Sequence, residues 1–81
     1  MKVVVKLFAG AREVVGQTEI AAEIPENSSV GVLRESLRAG YPALEPLLPH
    51  ALFAVNSNYA SDNTLVQEGA EIAFIPPVSG G

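Results

Sequence analysis

The sequence predicts an α+β fold: a mixed β-sheet with one main helix packed on one face. Three observations predict it. β-branched, alternating segments open and close the chain, at Lys2–Phe8 and Ala70–Ile75. One stretch, from Ser29 to Ala39, carries helical periodicity between a good N-cap and a Gly-x-Pro stop. The rest is cut into short pieces by Asn, Ser, Asp, Gly and Pro, which is turn chemistry. Residues 1–75 are expected to form one domain, and residues 76–81 an extended tail.

Along Lys2–Phe8, Val3, Val5 and Leu7 share one face, and Lys2, Val4, Lys6 and Phe8 share the other. The first set reads as core and the second as a partly solvated surface. Ala11–Val15 predicts one helical turn, closed by Gly16. Thr18–Ile24 alternates as a second strand, near enough to the first for an antiparallel hairpin. Ser29 then caps the main helix. Val30, Leu33 and Leu37 make its apolar face, while Arg34, Glu35 and Arg38 are expected in water. Gly31 weakens the first turn by about 1 kcal/mol relative to alanine, and nothing in the sequence explains it. Tyr41–His50 holds three prolines, so it is read as coil or 3₁₀, pinned by Leu44, Leu47 and Leu48. Ala51–Val55 is a third strand. Asn56-Ser57-Asn58 turns it back into a short strand at Tyr59-Ala60. Leu65 is expected to plug the core. In the last strand Ile72 and Phe74 face inward, and Glu71, Ala73 and Ile75 outward.

Eighty-one residues make one small domain, 48% hydrophobic and 17% charged, which is a globular composition. The net charge of −4 argues against nucleic acid and is compatible with basic protein partners. No apolar run reaches the roughly 20 residues of a membrane span, and no signal peptide is visible, so no membrane is expected. The absence of cysteine fits a cytoplasmic protein. His50 stands alone and reads as a solvated loop residue, not a metal ligand or catalytic base. The nine carboxylates are scattered, and Gly10 and Gly16 do not build a phosphate loop.

The distinctive stretch is the end, Phe74-Ile75-Pro76-Pro77-Val78-Ser79-Gly80-Gly81. Two prolines stop the strand and stiffen the exit. Gly80 and Gly81 lack a Cβ, so a narrow channel can admit them. Six extended residues reach roughly 20 Å. Fraying is the ordinary reading of such an end; a rigid spacer before a terminal Gly-Gly favours a delivery arm. With no thiol in the chain, sulfur could be carried only at the carboxyl carbon of Gly81.

This ending, together with Leu7-Phe8-Ala9-Gly10-Ala11-Arg12-Glu13-Val14-Val15-Gly16, resembles the MoaD family, the small sulfur-carrying subunits of molybdopterin synthase. The resemblance covers the whole chain. It implies a ubiquitin-like β-grasp fold, with the first and last strands side by side and parallel. It implies that Gly81 is adenylated with ATP by a MoeB-like partner enzyme, then converted to a thiocarboxylate. It implies delivery of that sulfur to a cyclic pterin phosphate held by a large MoaE-like catalytic subunit, within a heterotetramer. The catalytic side chains would belong to that subunit, and this chain would bind no cofactor of its own. Docking is implied through Phe8, Tyr59 and Ile75, with Arg12 as a further contact. Pro76, Pro77, Val78, Ser79 and Gly80 would line the way to the reactive end. With the first and last strands side by side, as the resemblance implies, the outward phase of Val4, Phe8, Ala73 and Ile75 makes an apolar outer patch, which more often marks an interface than bare surface.

Three other readings share these features. One is a ThiS-like carrier serving thiamine synthesis or another pathway. Another is a ubiquitin-like modifier joined to lysines through Gly81. The last is an interaction module with an idle tail.

Overall fold

In a computed structural model, residues 1–77 are described. The elements run in the order β1 (Lys2–Leu7), α1 (Ala9–Val15), β2 (Glu19–Glu23), α2 (Val30–Gly40), 3₁₀ turns at Pro42–Leu44 and Leu48–His50, β3 (Leu52–Val55), β4 (Asn58–Ala60) and β5 (Glu71–Ile75). The five strands form one mixed sheet ordered β2-β1-β5-β3-β4. β1 pairs antiparallel with β2 and parallel with β5; β3 pairs antiparallel with β5 and β4.

The β1–β2 ladder runs one residue past each strand end. Leu7 N donates to Thr18 O, and Ile24 N to Met1 O, each at 2.9 Å. The connection between them is α1, closed by Gly16 at φ 79°, whose N–H donates to Arg12 O at 2.8 Å. Ser29 caps α2: its Oγ accepts from Val32 N at 3.3 Å. The helix runs one residue further than expected and includes Gly40. Asn56 and Ser57 both take positive φ, 51° and 72°, the pattern of a tight hairpin turn.

The core lies between α2 and the inner sheet face. Val3, Val5, Leu7, Ile20, Ile72 and Phe74 point into it from the strands, and Val30, Leu33 and Leu37 from the helix. Phe53 and Phe74 meet edge to face across the β3–β5 pair, ring centroids 5.3 Å apart. Leu44 and Leu48 close the end of the core from the 3₁₀ turns, and Leu47 packs beside them, half-buried. The expected plug at Leu65 is wrong: Leu65 is 52% exposed, and its neighbour Val66 is buried. The extended backbone here forms a bridge between Ser29 and Leu65, and Val66 N donates to Ser28 O at 2.8 Å. Alternation along that segment allows only one of the two neighbours inward, and the bridge register selects Val66.

Arg34 also departs from expectation. It is not a solvated residue but a clamp with its side chain 18% exposed. Its guanidinium donates to the carbonyls of Leu48 and Ala51, and to Asp62 Oδ1 at 2.9 Å. It also sits over the Phe53 ring, 5.0 Å from the centroid. One side chain thus ties α2 to the 3₁₀ segment and to the β4–β5 connection. Gly31 belongs to the same junction. Its N–H donates to Asp62 O at 3.0 Å, and a Cβ there would stand only 3.3 Å from that oxygen. The close approach accounts for a glycine that helix propensity disfavours.

Two outcomes are expected. Leu33→Ala should cost about 2–5 kcal/mol in a denaturant melt, whereas Leu65→Ala should change stability by only about 0.5 kcal/mol. Arg34→Lys keeps the charge but lacks the planar fork, so it should lose about 1–3 kcal/mol because an ammonium cannot reach the Leu48 and Ala51 carbonyls and Asp62 together. A melt of Arg34→Lys indistinguishable from wild type would show that the clamp is not needed.

Candidate functional site

The face of the sheet opposite α2 is built by the outward phase of the strands. Its rows follow from register. Lys6 pairs with Ala73, Ala73 with Ala54, and Ala54 with Tyr59, so these four residues cross the sheet in one line. Val4 pairs with Ala21 on one side and Glu71 on the other. Phe8 follows the Leu7–Phe74 pair and keeps extended angles, φ −129° and ψ 155°, so it continues the outward phase level with Ile75. Ile75 in turn pairs with Leu52.

Three hydrophobic side chains therefore lie abreast, Phe8, Ile75 and Leu52, where β5 gives way to Pro76 and Pro77. Phe8 is 46% exposed, Leu52 55% and Tyr59 74%, while Ile75 is half-buried. The expected placement of Phe8, Tyr59 and Ile75 on one open face is what the strand phase produces. Leu52 is the residue that sequence reading missed. Its signal was available: alternation with the inward Phe53 puts it outward. The middle row is small, Ala73 and Ala54, which leaves the face shallow at its centre. Lys6 and Glu71 form an exposed ion pair at 3.5 Å, the kind that contributes about 0–1 kcal/mol to stability.

The two prolines part company. Pro76 is buried and Pro77 exposed. Pro76 is thus a root held by this domain, and Pro77 is the first ring to stand open. The root is fixed because β5 lies between β1 and β3, paired with β1 as far as Phe74 and with β3 as far as Ile75. Val78, Ser79, Gly80 and Gly81, expected to form the delivery arm, lie outside the described residues. Arg12 is exposed on α1, and among the described residues no ion pair joins it to Glu13. His50 is exposed at the end of the second 3₁₀ turn, as expected of a loop histidine. Among the described residues no group of three or more His, Cys, Asp or Glu is placed to hold a metal ion. No helix there is long and apolar enough to cross a membrane. The geometry offers recognition by a shallow apolar face beside a stiffly rooted strand end, and no catalytic constellation among the described residues.

Known proteins share this plan. The ThiS family matches residues 5–81. The molybdopterin synthase sulfur carrier subunit of Arabidopsis thaliana is 35% identical over 81 residues, spanning all of this chain and 84% of that one. The subunit of the same name from Mycobacterium tuberculosis is 35% identical over 82 residues, spanning all of this chain and 99% of that one. Small archaeal modifier protein 1 of Haloferax volcanii is 32% identical over 84 residues, covering 94% of this chain and 97% of that one. A crystal structure of SAMP1 from that organism superposes with a TM-score of 0.86 at 30% identity, with both chains covered in full. This chain therefore belongs to the ThiS/MoaD family and has its ubiquitin-like β-grasp fold.

Proposed function

We propose that this chain is the sulfur carrier subunit of a molybdopterin synthase, working in the cytoplasm. One observation carries the reading. The apolar row Phe8–Ile75–Leu52 stands at the root of a Pro-Pro-Val-Ser-Gly-Gly end, in a chain similar from end to end to subunits of that name. The chain supplies recognition and an arm. A large MoaE-like subunit supplies the catalytic side chains, in a heterotetramer.

The chemistry follows from the inertness of a carboxylate, which is anionic and has a poor leaving group. In a MoeB-like partner, a Gly81 carboxylate oxygen attacks the α-phosphorus of ATP and pyrophosphate leaves. A persulfide sulfur then attacks the acyl-adenylate and AMP leaves. Cleavage of the S–S bond by a thiol completes the thiocarboxylate. In the large subunit that sulfur passes to a cyclic pterin phosphate. ATP is bound by the partner enzyme, and this chain holds no cofactor beyond its covalent sulfur.

A second reading, favoured by the likeness to the archaeal modifier, is conjugation of Gly81 to target lysines. It shares the activation step and differs in product. Isopeptide adducts in cells, in place of a free thiocarboxylate, would select it. A carrier dedicated to thiamine synthesis predicts sulfur loading with no affinity for the large synthase subunit.

Phe8→Ala should weaken binding to the large subunit by about 1–3 kcal/mol and leave the melt unchanged, since truncating an interface anchor costs this much. Calorimetry and a melt on the same sample check it; unfolding with no change in affinity would make Phe8 a core residue. Deleting Gly81 should shorten the arm by roughly 3.5 Å and slow sulfur loading about 100-fold or more, as misplacing a reacting atom does. Adding a residue after Gly81 should do the same. Partner affinity should largely survive both changes. Sulfur loading of the extended chain at the wild-type rate, read by intact mass, would sink the assignment of Gly81.

A further inference from the structure

The row Lys6–Ala73–Ala54–Tyr59 carries a knob and a trough side by side. Tyr59 is the knob, the most exposed large hydrophobic side chain among the described residues. Ala54 and Ala73 are half-buried and too small to fill the space beside it, which leaves a trough two strands wide. Lys6 closes the far side, its ammonium 3.5 Å from the Glu71 carboxylate. A tyrosine ring brings an apolar body that fits such a trough and a π face that attracts an ammonium. A half-turn about an axis along the strands, over the boundary between β5 and β3, lays a second copy face to face on the first. It exchanges β5 with β3 and β1 with β4. Tyr59 of the second copy then lies over the trough and comes against Lys6 of the first, and the reverse contact forms at the same time. In the next row Ile75, level with Leu52, meets Leu52 of the second copy. In the row on the other side Glu71 comes opposite Asn56, which is level with it through the bonds from Asn56 N to Glu71 O and from Glu71 N to Asn56 Oδ1. No like charges meet. Other half-turns match less well. An axis along β5 sets Glu71 against Glu71, and an axis across the strands on the trough row sets Lys6 against Lys6.

We propose that the outer face pairs with itself, and that the free chain forms a twofold dimer in which each Tyr59 fills the trough of the other copy and stacks on its Lys6. The occupant is a second copy because knob and trough lie in one row and the half-turn exchanges them. The two sheets stack with their strands aligned, about 10 Å apart. Because the axis runs along the strands, both β5 ends lie at the same end of the pair. The inference does not rest on the chemistry of Gly81. It does bear on docking: Tyr59, Ile75 and Leu52 are covered in the pair, so a paired chain cannot dock through them. The association is weak and reversible, since the trough is shallow and two cation–π contacts carry much of it. It covers the apolar face of a free chain and gives way to a partner that buries more of it.

The test uses the full chain alone, with no partner and no enzyme. Sedimentation at rising concentration should show a monomer–dimer equilibrium. The backbone amide resonances that move with concentration should be those of Lys6, Ala54, Tyr59, Ala73 and Ile75. Lys6→Glu and Tyr59→Lys should each weaken self-association about tenfold, because each spoils both contacts of the pair. Both positions are exposed, and thermal melts show that each variant is folded. Mixed in equal amounts, the two variants should associate about tenfold more tightly than either does alone. In the mixed pair a carboxylate at position 6 meets an ammonium at position 59, and the native contact of Lys6 with Tyr59 is kept on the other side. A single monomeric species up to about 1 mM, shifts confined to another surface, or a mixture that associates no better than its parents would each overturn the proposal. None of these outcomes touches the sulfur-carrier reading, which is decided by the loading assay and by affinity for the large subunit.

Discussion

The parallel pairing of β1 with β5 is the constraint on which the rest depends. It joins the two ends of the sequence at the centre of the sheet, with Val4 opposite Glu71 and Leu7 opposite Phe74. Such a pairing closes nearly the whole chain as a loop, an entropic cost that grows only slowly with loop length. It is offset by the apolar area that the two central strands bury against α2. Its consequence for function is positional. Parallel strands end at the same edge, so Phe8 and Pro76 emerge together, and the outward side chains of both strands form one surface. A tail rooted anywhere else would leave from a face with no apolar row beside it.

Arg34 makes a second dependence visible. The segment after α2 is rich in proline, and its 3₁₀ turns satisfy only part of its carbonyl capacity. Two of them, at Leu48 and Ala51, are met by one guanidinium reaching from the helix. The same group holds Asp62, and the Asp62 carbonyl comes within hydrogen-bonding distance of Gly31 N. The main helix, the irregular connection and the loop before β5 are thus fastened at one point, behind the inward Phe53–Phe74 pair. That fastening lies on the helix side of the sheet, so the outer face is free of structural duties and can be given to recognition.

Much of this was legible from residue order. Alternation in β1 and β5 gave the two faces correctly, and the helix was marked by Ser29 and by the spacing of Val30, Leu33 and Leu37. What periodicity did not reveal was any contact made across the chain. The β1–β5 pairing came from family resemblance, because strand phase says which way a residue faces and not which strand lies beside it. Arg34 read as solvated because its helical position is compatible with water; its acceptors lie in segments without a pattern. Gly31 made sense only once Asp62 was beside it. Leu65 and Val66 are adjacent apolar residues in an irregular stretch, where composition cannot choose between them. Pro76 and Pro77 are chemically identical, and only the fold distinguishes the buried root from the exposed first step of the tail.

The closure of the sheet edges decides how partners are met. β2 is an edge strand, and its outward carbonyls would invite another strand to pair. Tyr41 Oη donates to Ala21 O at 3.1 Å, and Ser36 Oγ to Glu23 O at 3.3 Å, so side chains already occupy two of them. Glu19 and Glu23 add charge along the same strand. The opposite edge, β4, is three residues long and too short to template a pairing of useful length. With one edge occupied and the other curtailed, strand addition is disfavoured and the face is what remains. Recognition through a face depends on a few side chains and not on backbone hydrogen bonds. It can therefore be strong enough to position the tail and weak enough to release it, which suits the proposed passage from a loading partner to a receiving one.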